Sequence, residues 1–507
     1  MTSIIAKIDS AISNQTMYRM VVYGLGGITA LALVFSLMGL IQFSALGILV
    51  SLVTLLVICY VINKLFAIIF DAQTNAESWL ITALILTLIL PPAQTTTGAA
   101  YVALAGVIAV ASKFLLTYRH RHIFNPAAFA ALIMTLTGWL PTIWWVGTPI
   151  LVIFSVLFGI VLLRKLRRFG FFSLFALSAG VVALIVGSLH DQSISSIIGS
   201  LLLSSPLIFF GTIMVTEPET MPNGRLQRWL YAGIVGALVS SQLHSSMFTA
   251  TPELSLIIGN IFAFAVTAGR YKQQIRLKRS IPIGTNLREY VFATKRPIDF
   301  IPGQYMELTL PHHHTDKRGN RRTFSISSIP NSDEIRFATK LFAQTSSFKK
   351  ELQALTDGDV VTVGQLNGSF TLPRNPAAQM MWIAGGIGIT PFVSMARDIT
   401  IKKTPRDITL FYLIASGGEY AYQDIWEQAK PYGLSVIPIV TSPDIDPAWH
   451  GLTGKLTPEL IEKYVPDYKN RIFYLSGPHG LVLFFQKTLI GMAVKRRSIV
   501  SDFFSGY

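Results

Sequence analysis

Four consecutive residues, Arg322-Thr323-Phe324-Ser325, place a guanidinium, an aromatic ring and two hydroxyls on one short segment. A guanidinium fork grips paired phosphate oxygens in a fixed plane, which an ammonium does not do. Further along, Gly385-Gly386-Ile387-Gly388-Ile389-Thr390-Pro391 follows a strand-like run and opens a helix-like one. Glycines in that position let the backbone approach a phosphate, and a helix N-terminus favours its charge. Ser476-Gly477-Pro478 and the C-terminal Asp502-Phe503-Phe504-Ser505-Gly506-Tyr507 are further segments with chemistry to offer.

Two kinds of element must position these groups. From about residue 275 the chain alternates apolar and polar residues in short runs at 289–293, 304–310, 322–327, 335–339 and 360–363. That pattern predicts a small antiparallel β-barrel domain over 274–376. Buried-type strands at 380–384, 408–414, 435–439 and 472–476 then alternate with helical runs at 391–402, 423–430, 457–464 and 480–493. This predicts a parallel α/β nucleotide-binding domain over 377–507, with the glycine segment at the end of its first strand.

The preceding half is different in kind. After a polar segment over 1–18, residues 19–270 hold about ten apolar segments, several of them reaching the ~20 residues that cross a bilayer. They fall at 20–41, 46–70, 80–91, 98–116, 124–140, 142–163, 171–189, 195–215, 229–244 and 253–269. The third and fifth are short, and the third ends in Pro91-Pro92; such segments are tolerated where they line a cavity. Basic residues gather after the fourth, sixth, eighth and tenth segments: Arg119, His120 and Arg121; Arg164, Lys165, Arg167 and Arg168; Arg225 and Arg228; then Arg270, Lys272, Arg276, Lys278 and Arg279. If every segment crosses, all of these fall on one face, which predicts a multi-pass cell-membrane protein with both termini cytoplasmic.

The net charge of +15 fits positive-inside loops, and nothing in the sequence points to nucleic acid. The single cysteine, Cys59, excludes an internal disulfide and any iron–sulfur cluster ligated by this chain alone. No cleavable signal peptide is evident in the first residues. No metal site is expected: His312-His313-His314 reads as part of a hairpin loop on the surface, beside Lys317 and Arg318.

The half from 275 onwards resembles the ferredoxin–NADP reductase family. Arg322-Thr323-Phe324-Ser325 matches that family's Arg-x-Tyr-Ser/Thr, with Phe324 in place of tyrosine. The resemblance implies that Arg322 pairs with the pyrophosphate of FAD, that Phe324 walls the isoalloxazine, and that the Ser325 hydroxyl sits near N5. It also places Gln344-Thr345-Ser346-Ser347 against the flavin phosphates, with Ser346 and Ser347 as contacts. Residues 364–370 resemble the family's crossing between its two subdomains. Gly385, Gly386, Gly388, Thr390 and Pro391 are implied to hold the nicotinamide dinucleotide. Ser476-Gly477-Pro478 matches the family's Cys-Gly-Pro near the transferring hydride, with serine for cysteine. An aromatic that stacks on the flavin until nicotinamide displaces it would here be Tyr507 or Phe504. After the strand at 408–414 the chain reads Ala415-Ser416-Gly417-Gly418-Glu419, with Gln423 where a second arginine is usual. Without a cation for a 2′-phosphate, NADH is expected over NADPH.

In the apolar half, Ile123-Phe124-Asn125-Pro126-Ala127-Ala128, Leu90-Pro91-Pro92 and Val215-Thr216-Glu217-Pro218-Glu219-Thr220 are similar to the NqrB/RnfD membrane subunits of sodium-pumping NADH:quinone reductase and the Rnf complex. That family esterifies an FMN to a threonine upstream of its Thr-Asp-Pro. The corresponding position here is Leu207, which has no hydroxyl. The resemblance therefore implies a non-covalently held FMN or riboflavin, or a bound quinone, with Asn125, Thr212 and Thr216 as candidate contacts; sodium pumping is not carried over. The combined expectation is electron flow from NADH through FAD to a membrane cofactor, and on to a quinone or an extracytoplasmic acceptor protein. Two rival readings exist. One is a haem-containing ferric reductase or NADPH oxidase, but His120, His122, His190 and His244 offer no helix with a spaced pair. The other is a transporter or sensor regulated by a reductase-like half; the retained Arg322 and glycine segment speak against it.

Overall fold

The computed structural model describes residues 15–70, 76–118, 121–166, 168–203, 206–222, 224–240, 251–267, 273–312, 316, 319–341, 345–442, 447 and 449–504. The chain divides into two compact units, Met1–Tyr271 and Lys272–Tyr507.

In the first unit, each expected apolar run overlaps a helix. In order these are α1 (Met17–Leu37), α2 (Ala45–Ile69), α3 (Ala76–Ile89), α4 (Thr96–Leu115), α5 (Pro126–Leu136), α6 (Pro149–Leu166), α7 (Phe169–Leu189), α8 (Ile194–Leu203), α9 (Leu207–Phe209, continued by a π-helical turn over Phe210–Met214), α10 (Arg225–Ser240) and α11 (Pro252–Thr267). Hydroxyl side chains start several of them: Thr16, Ser44 and Thr95 each accept a backbone N–H of the first turn. Among the described residues, five helices, α1, α2, α4, α6 and α7, are long and apolar enough to cross a membrane. Ile194–Leu202 and Leu207–Met214 would make a sixth if they form one span, bent by 56°. Helix α5 has 11 residues, a rise of about 16 Å, and cannot cross a bilayer core by itself. Length therefore supports several crossings but not the expected ten.

This unit exposes apolar groups and buries polar ones. Leu46, Val53, Ile153, Leu157, Leu177 and Ile185 lie on its outer surface, whereas Asn125, Glu253 and Asn260 are buried. Such a distribution suits a hydrocarbon surround.

The second unit contains two six-stranded sheets. The antiparallel one comprises β3 (Gln273–Gly284), β4 (Leu287–Thr294), β5 (Tyr305–Thr309), β6 (Arg321–Ser325), β7 (Glu334–Lys340) and β8 (Val360–Asn367), in the order β6-β5-β8-β3-β4-β7. Its two edges meet through a bridge between Ile326 and Phe337, which closes the expected barrel. Strand β3 was not expected. Arg276, Lys278 and Arg279 read as charges flanking a membrane segment, yet they belong to this strand, where Ile275 and Leu277 point into the core between them. A small strand pair, β1 (Thr117–Tyr118) with β2 (Arg121–His122), lies in the first unit.

The parallel sheet holds β9 (Met380–Gly385), β10 (Ile408–Ile414), β11 (Leu434–Val440), β12 (Leu452–Thr453), β13 (Ile472–Pro478) and β14 (Ile499–Phe504), in the order β12-β11-β10-β9-β13-β14. The chain steps outward from β9 to β12 and then resumes on the other side of β9 with β13. The strand order thus reverses between β9 and β13, where open α/β sheets place their ligands. All six residues of β9 are buried, as expected for a strand covered on both faces. Strands β12 and β14 were not expected.

Candidate functional site

Strand β6 pairs with β5 so that Tyr305 faces Ser325 and Arg322 faces Leu308. Thr323 is exposed and Ser325 is buried at 3 %. The Arg322 guanidinium donates through Nη1 to the carbonyls of Gly319 and Arg321, both at 2.8 Å. Its Nη2 donates to both carboxylate oxygens of Asp316, at 3.0 and 3.2 Å. It also lies over the ring of Phe348, 5.2 Å from the centroid. Phe348 belongs to the first turn of the helix α12 (Ser347–Ala354), which Ser346 caps by accepting the Lys349 N–H. A cation is thus held beside a helix N-terminus, the pairing that binds a diphosphate. Phe324 packs against Phe348 at 5.8 Å and Phe337 at 6.2 Å.

Ser347 is engaged differently from Ser346. Its hydroxyl accepts the backbone N–H of Asp316 at 2.9 Å and lies 3.0 Å from His312 Nε2. His312 is therefore a half-buried tie between loop and helix rather than a loose surface residue; His313, His314 and Gln344 lie outside the described residues. The described residues contain no cluster of metal-ligating groups.

The second half of the site is built from glycines. Gly386 adopts φ +53° and Gly477 φ +155°. A Cβ on Gly388 would lie 2.5 Å from the Ser476 carbonyl oxygen and 2.6 Å from Gly477 Cα. Only hydrogen fits where the turn after β9 meets the end of β13. Thr390 donates its hydroxyl to the Ile387 carbonyl at 2.7 Å and opens α13 (Thr390–Lys402), with Pro391 in its first turn. Strand β14 pairs Phe504 with Pro478, which brings the C-terminal segment alongside Ser476–Pro478; Tyr507 lies outside the described residues. Phe370, just past Gly368 at φ +115°, packs edge-on against Tyr474 at 5.1 Å and Phe392 at 5.4 Å, fixing the crossing between barrel and parallel sheet.

Three buried hydroxyls on these motif segments have no hydrogen-bond partner among the described residues: Ser325 Oγ, Thr345 Oγ1 and Ser476 Oγ. An unsatisfied buried polar group costs about 1–3 kcal/mol, so its retention calls for a reason. Other such atoms, Tyr290 OH and Trp382 Nε1 among them, lie outside the motifs. The residues present fit a flavin and a dinucleotide: two orphan hydroxyls on the flavin segments, a third beside the glycine contact, and a phosphate-type cation. Thr345 was named in the sequence only as part of its segment, and its burial gives it more weight than Ser346 or Ser347.

Where β10 ends, Glu419 turns inward. Its carboxylate accepts from Lys340 and, at 3.4 Å, from the Ala415 N–H. Lys340 is on β7, so a search confined to the residues after β10 could not have found this cation.

In the first unit, the structure brings two of the sequence motifs together. Asn125 caps α5 by accepting the Ala128 N–H, and its Nδ2 donates to Glu217 Oε2 at 2.8 Å. Thr220 donates to the same carboxylate at 3.2 Å, and Asn260 accepts the Asn125 N–H at 2.8 Å. Thr212 and Thr216 donate their hydroxyls to carbonyls one turn back, those of Ile208 and Thr212. At the start of α11, Glu253 accepts from Thr142 Oγ1 at 2.7 Å, Trp144 Nε1 at 2.9 Å and Thr135 Oγ1 at 3.3 Å. Neither Glu253 nor Asn260 carried a sequence motif, and neither was anticipated. His120 and His244 lie outside the described residues, and His190 is exposed at the end of α7.

Residues 382–487 match the family model described as the oxidoreductase NAD-binding domain. The chain is 28% identical over 193 residues to the phenol 2-monooxygenase reductase component DmpP of Pseudomonas sp. (strain CF600), covering 37% of this chain and 52% of that protein. It is 26% identical over 242 residues to NADH-cytochrome b5 reductase 1 of Aspergillus terreus, covering 45% of this chain and 80% of that one. Among solved structures, the flavohem-like FAD/NAD-binding domain of nitric oxide dioxygenase from Vibrio cholerae aligns with TM-score 0.40 and 20% identity, over 46% of this chain and 98% of that domain. The chain spans about half the length of the first curated relatives it matches. By these matches its C-terminal half is similar to the reductase modules of NAD(P)H-dependent flavin oxidoreductases, and residues 382–487 are the part that matches the NAD-binding domain.

Proposed function

We propose that the whole chain is a membrane-bound, NADH-oxidising flavoprotein that passes electrons from the reductase module to an acceptor site in the helical half. The observation that carries this reading is the pair of buried, unpartnered hydroxyls, Ser325 Oγ and Ser476 Oγ, one on the flavin strand and one at the reversal point of the parallel sheet. Both occur in a chain whose other half turns apolar side chains outward. NADH gives up a hydride, two electrons with one proton, and leaves as NAD⁺; bound FAD can pass those electrons on singly. Arg322 and the N-terminus of α12 hold the FAD diphosphate. Phe324 walls the ring, Ser325 offers its hydroxyl to it, and Thr345 reaches the flavin phosphates. Gly385, Gly386 and Gly388 admit the dinucleotide backbone, while Ser476 orients the nicotinamide. At the end of β10 a carboxylate, Glu419, already bonded to Lys340, stands where a 2′-phosphate would need a cation, which supports NADH over NADPH.

For the helical half we propose an NqrB/RnfD-like bundle with cytoplasmic termini, embedded in membrane lipid. The contact between Asn125 and Glu217 supports it, since two of the three segments that carry that resemblance meet there. The acceptor is a quinone or a non-covalently held flavin near the cytoplasmic face. From there, electrons pass to a quinone or to an acceptor protein outside.

The test is the absorption spectrum of the detergent-purified protein, with its flavins extracted and identified, before and after NADH. One FAD per chain that NADH bleaches supports the proposal with a quinone as acceptor, and a second flavin would make the route a flavin relay. A Soret band would overturn it in favour of a haem reductase.

A further inference from the structure

One buried carboxylate of the reductase half takes no part in the site described above. Glu289 lies on β4 and is 2 % exposed. A carboxylate so placed is tolerated only if paired and hydrogen-bonded. Its Oε1 accepts from Ser327 Oγ at 2.7 Å and from Tyr422 OH at 2.9 Å. Arg397 stands 3.6 Å from Oε1, and Arg336 stands 3.5 Å from Oε2.

These partners come from both subdomains. Ser327 lies two residues beyond the flavin-strand serine, Ser325. Arg336 is on β7. Arg397 is on α13, the helix that the glycine segment opens, and Tyr422 directly precedes the helix α14 (Gln423–Ala429). Direct bonds between the same segments reinforce the link. Arg397 Nη1 donates to the Ser327 carbonyl at 2.7 Å, and Ser394, also on α13, donates to the Ser328 carbonyl at 2.7 Å. The Arg397 guanidinium lies over the Tyr422 ring at 5.7 Å.

The backbone of Tyr422 is held at φ +61°, a strained conformation for a bulky residue that persists only where its surroundings over-determine it. Burial and the neighbouring Glu289 charge push the Tyr422 phenol well above its ordinary range, so it stays a proton donor at all physiological pH values.

We infer that Glu289 and Tyr422 are positioning residues for hydride transfer: they lock the segment following Ser325 to the helix that follows the glycine turn. The inference rests on the reading of the two halves as flavin and nicotinamide sites. It adds that their separation is set by this buried cluster, whose members lie outside the motif residues themselves. Hydride transfer depends steeply on the gap between donor and acceptor, so a small displacement slows the step without loosening either ligand much.

The experiment uses the full chain in detergent, as wild type, Glu289→Gln and Tyr422→Phe. Rapid mixing with NADH and with NADH deuterated at C4 gives the hydride-transfer rate, its isotope effect at several temperatures and the dissociation constant of NADH. Flavin content is measured alongside. Both variants are expected to keep full FAD and to bind NADH within about threefold of wild type, while the rate falls at least tenfold (about 1.4 kcal/mol) and the isotope effect becomes more temperature-dependent. Tyr422→Phe keeps the ring and leaves the carboxylate paired, so it tests the idea even if Glu289→Gln folds poorly. Unchanged rate and isotope effect in Tyr422→Phe would overturn the positioning role, as would loss of FAD from that variant. If NADH fails to reduce wild type, the cofactor reading itself falls, and the two failures are thereby distinct.

Discussion

At Arg322 both terminal guanidinium nitrogens already face protein oxygens, so its charge is aimed by protein atoms before any phosphate arrives. Replacing it by alanine removes the charge and the fork together. Arg322→Ala is expected to lower the FAD content of the purified protein at least tenfold, measured as flavin per chain after extraction. Full occupancy in that variant would show that the diphosphate lies elsewhere. The two orphan serines should behave otherwise. Ser325→Ala and Ser476→Ala each remove a hydroxyl with no protein partner, so neither should lower the melting temperature measurably. Each should slow flavin reduction by NADH about ten- to a hundredfold, with flavin content retained. A loss of stability without a loss of rate would mark them as structural. The motif residues themselves were legible in the sequence because the chemistry lies in consecutive positions. Their partners were not: Asp316 and Phe348 reach Arg322 through folding, and nothing in their local sequence marks them.

Elements were legible in proportion to how plainly they alternate or bury. Strand β9 and its parallel neighbours are continuous apolar runs and were expected where they stand. Strand β3 was hidden because its outward residues are cations adjoining an apolar helix, and the same pattern suits a membrane loop. Strands β12 and β14 leave no strand pattern in the sequence, because the first is two residues long and the second runs into the aromatic C-terminal segment. The glycine contact between the β9 turn and the end of β13 makes a prediction at this scale. Gly388→Ala would drive a Cβ into backbone atoms that cannot move aside, at a cost of about 1–3 kcal/mol. NADH should bind more weakly, while FAD, held by the barrel, should remain; titration of each ligand separates the two. Strand β13 also carries Tyr474, whose hydroxyl donates to the Thr371 carbonyl at 2.7 Å. Burial pushes its phenol up to about 12 against a partial lowering by Arg406. A folded-state value above the unfolded one means stability that is intact below about pH 10 and lost as pH rises through about 12. Denaturation midpoints across that window should fall, and Tyr474→Phe should flatten the slope. It should not abolish it, because burial also raises the phenols of Tyr290, Tyr412 and Tyr420.

On the scale of the whole molecule, the chain joins two units with separate hydrophobic cores, one running from Val21 to Ala263 and the others beginning at Ile275. The division of labour was visible from composition alone. The number of crossings was not, because short helices such as α5 are apolar without being long. A unit with its own core and both sheets complete should fold without its neighbour. Residues 272–507 expressed alone are expected to be water-soluble, to carry FAD and to reduce ferricyanide with NADH, but to reduce no quinone. Quinone reduction by that fragment would move the acceptor site out of the helical half. One consequence concerns time rather than place. Strand β9 is covered on both faces and hydrogen-bonded on both edges, to β10 and to β13. No partial opening exposes its amides, so their deuterium exchange should be the slowest in the module and should report its global unfolding. The turn proposed to receive the dinucleotide would thus hang from the last strand to let go.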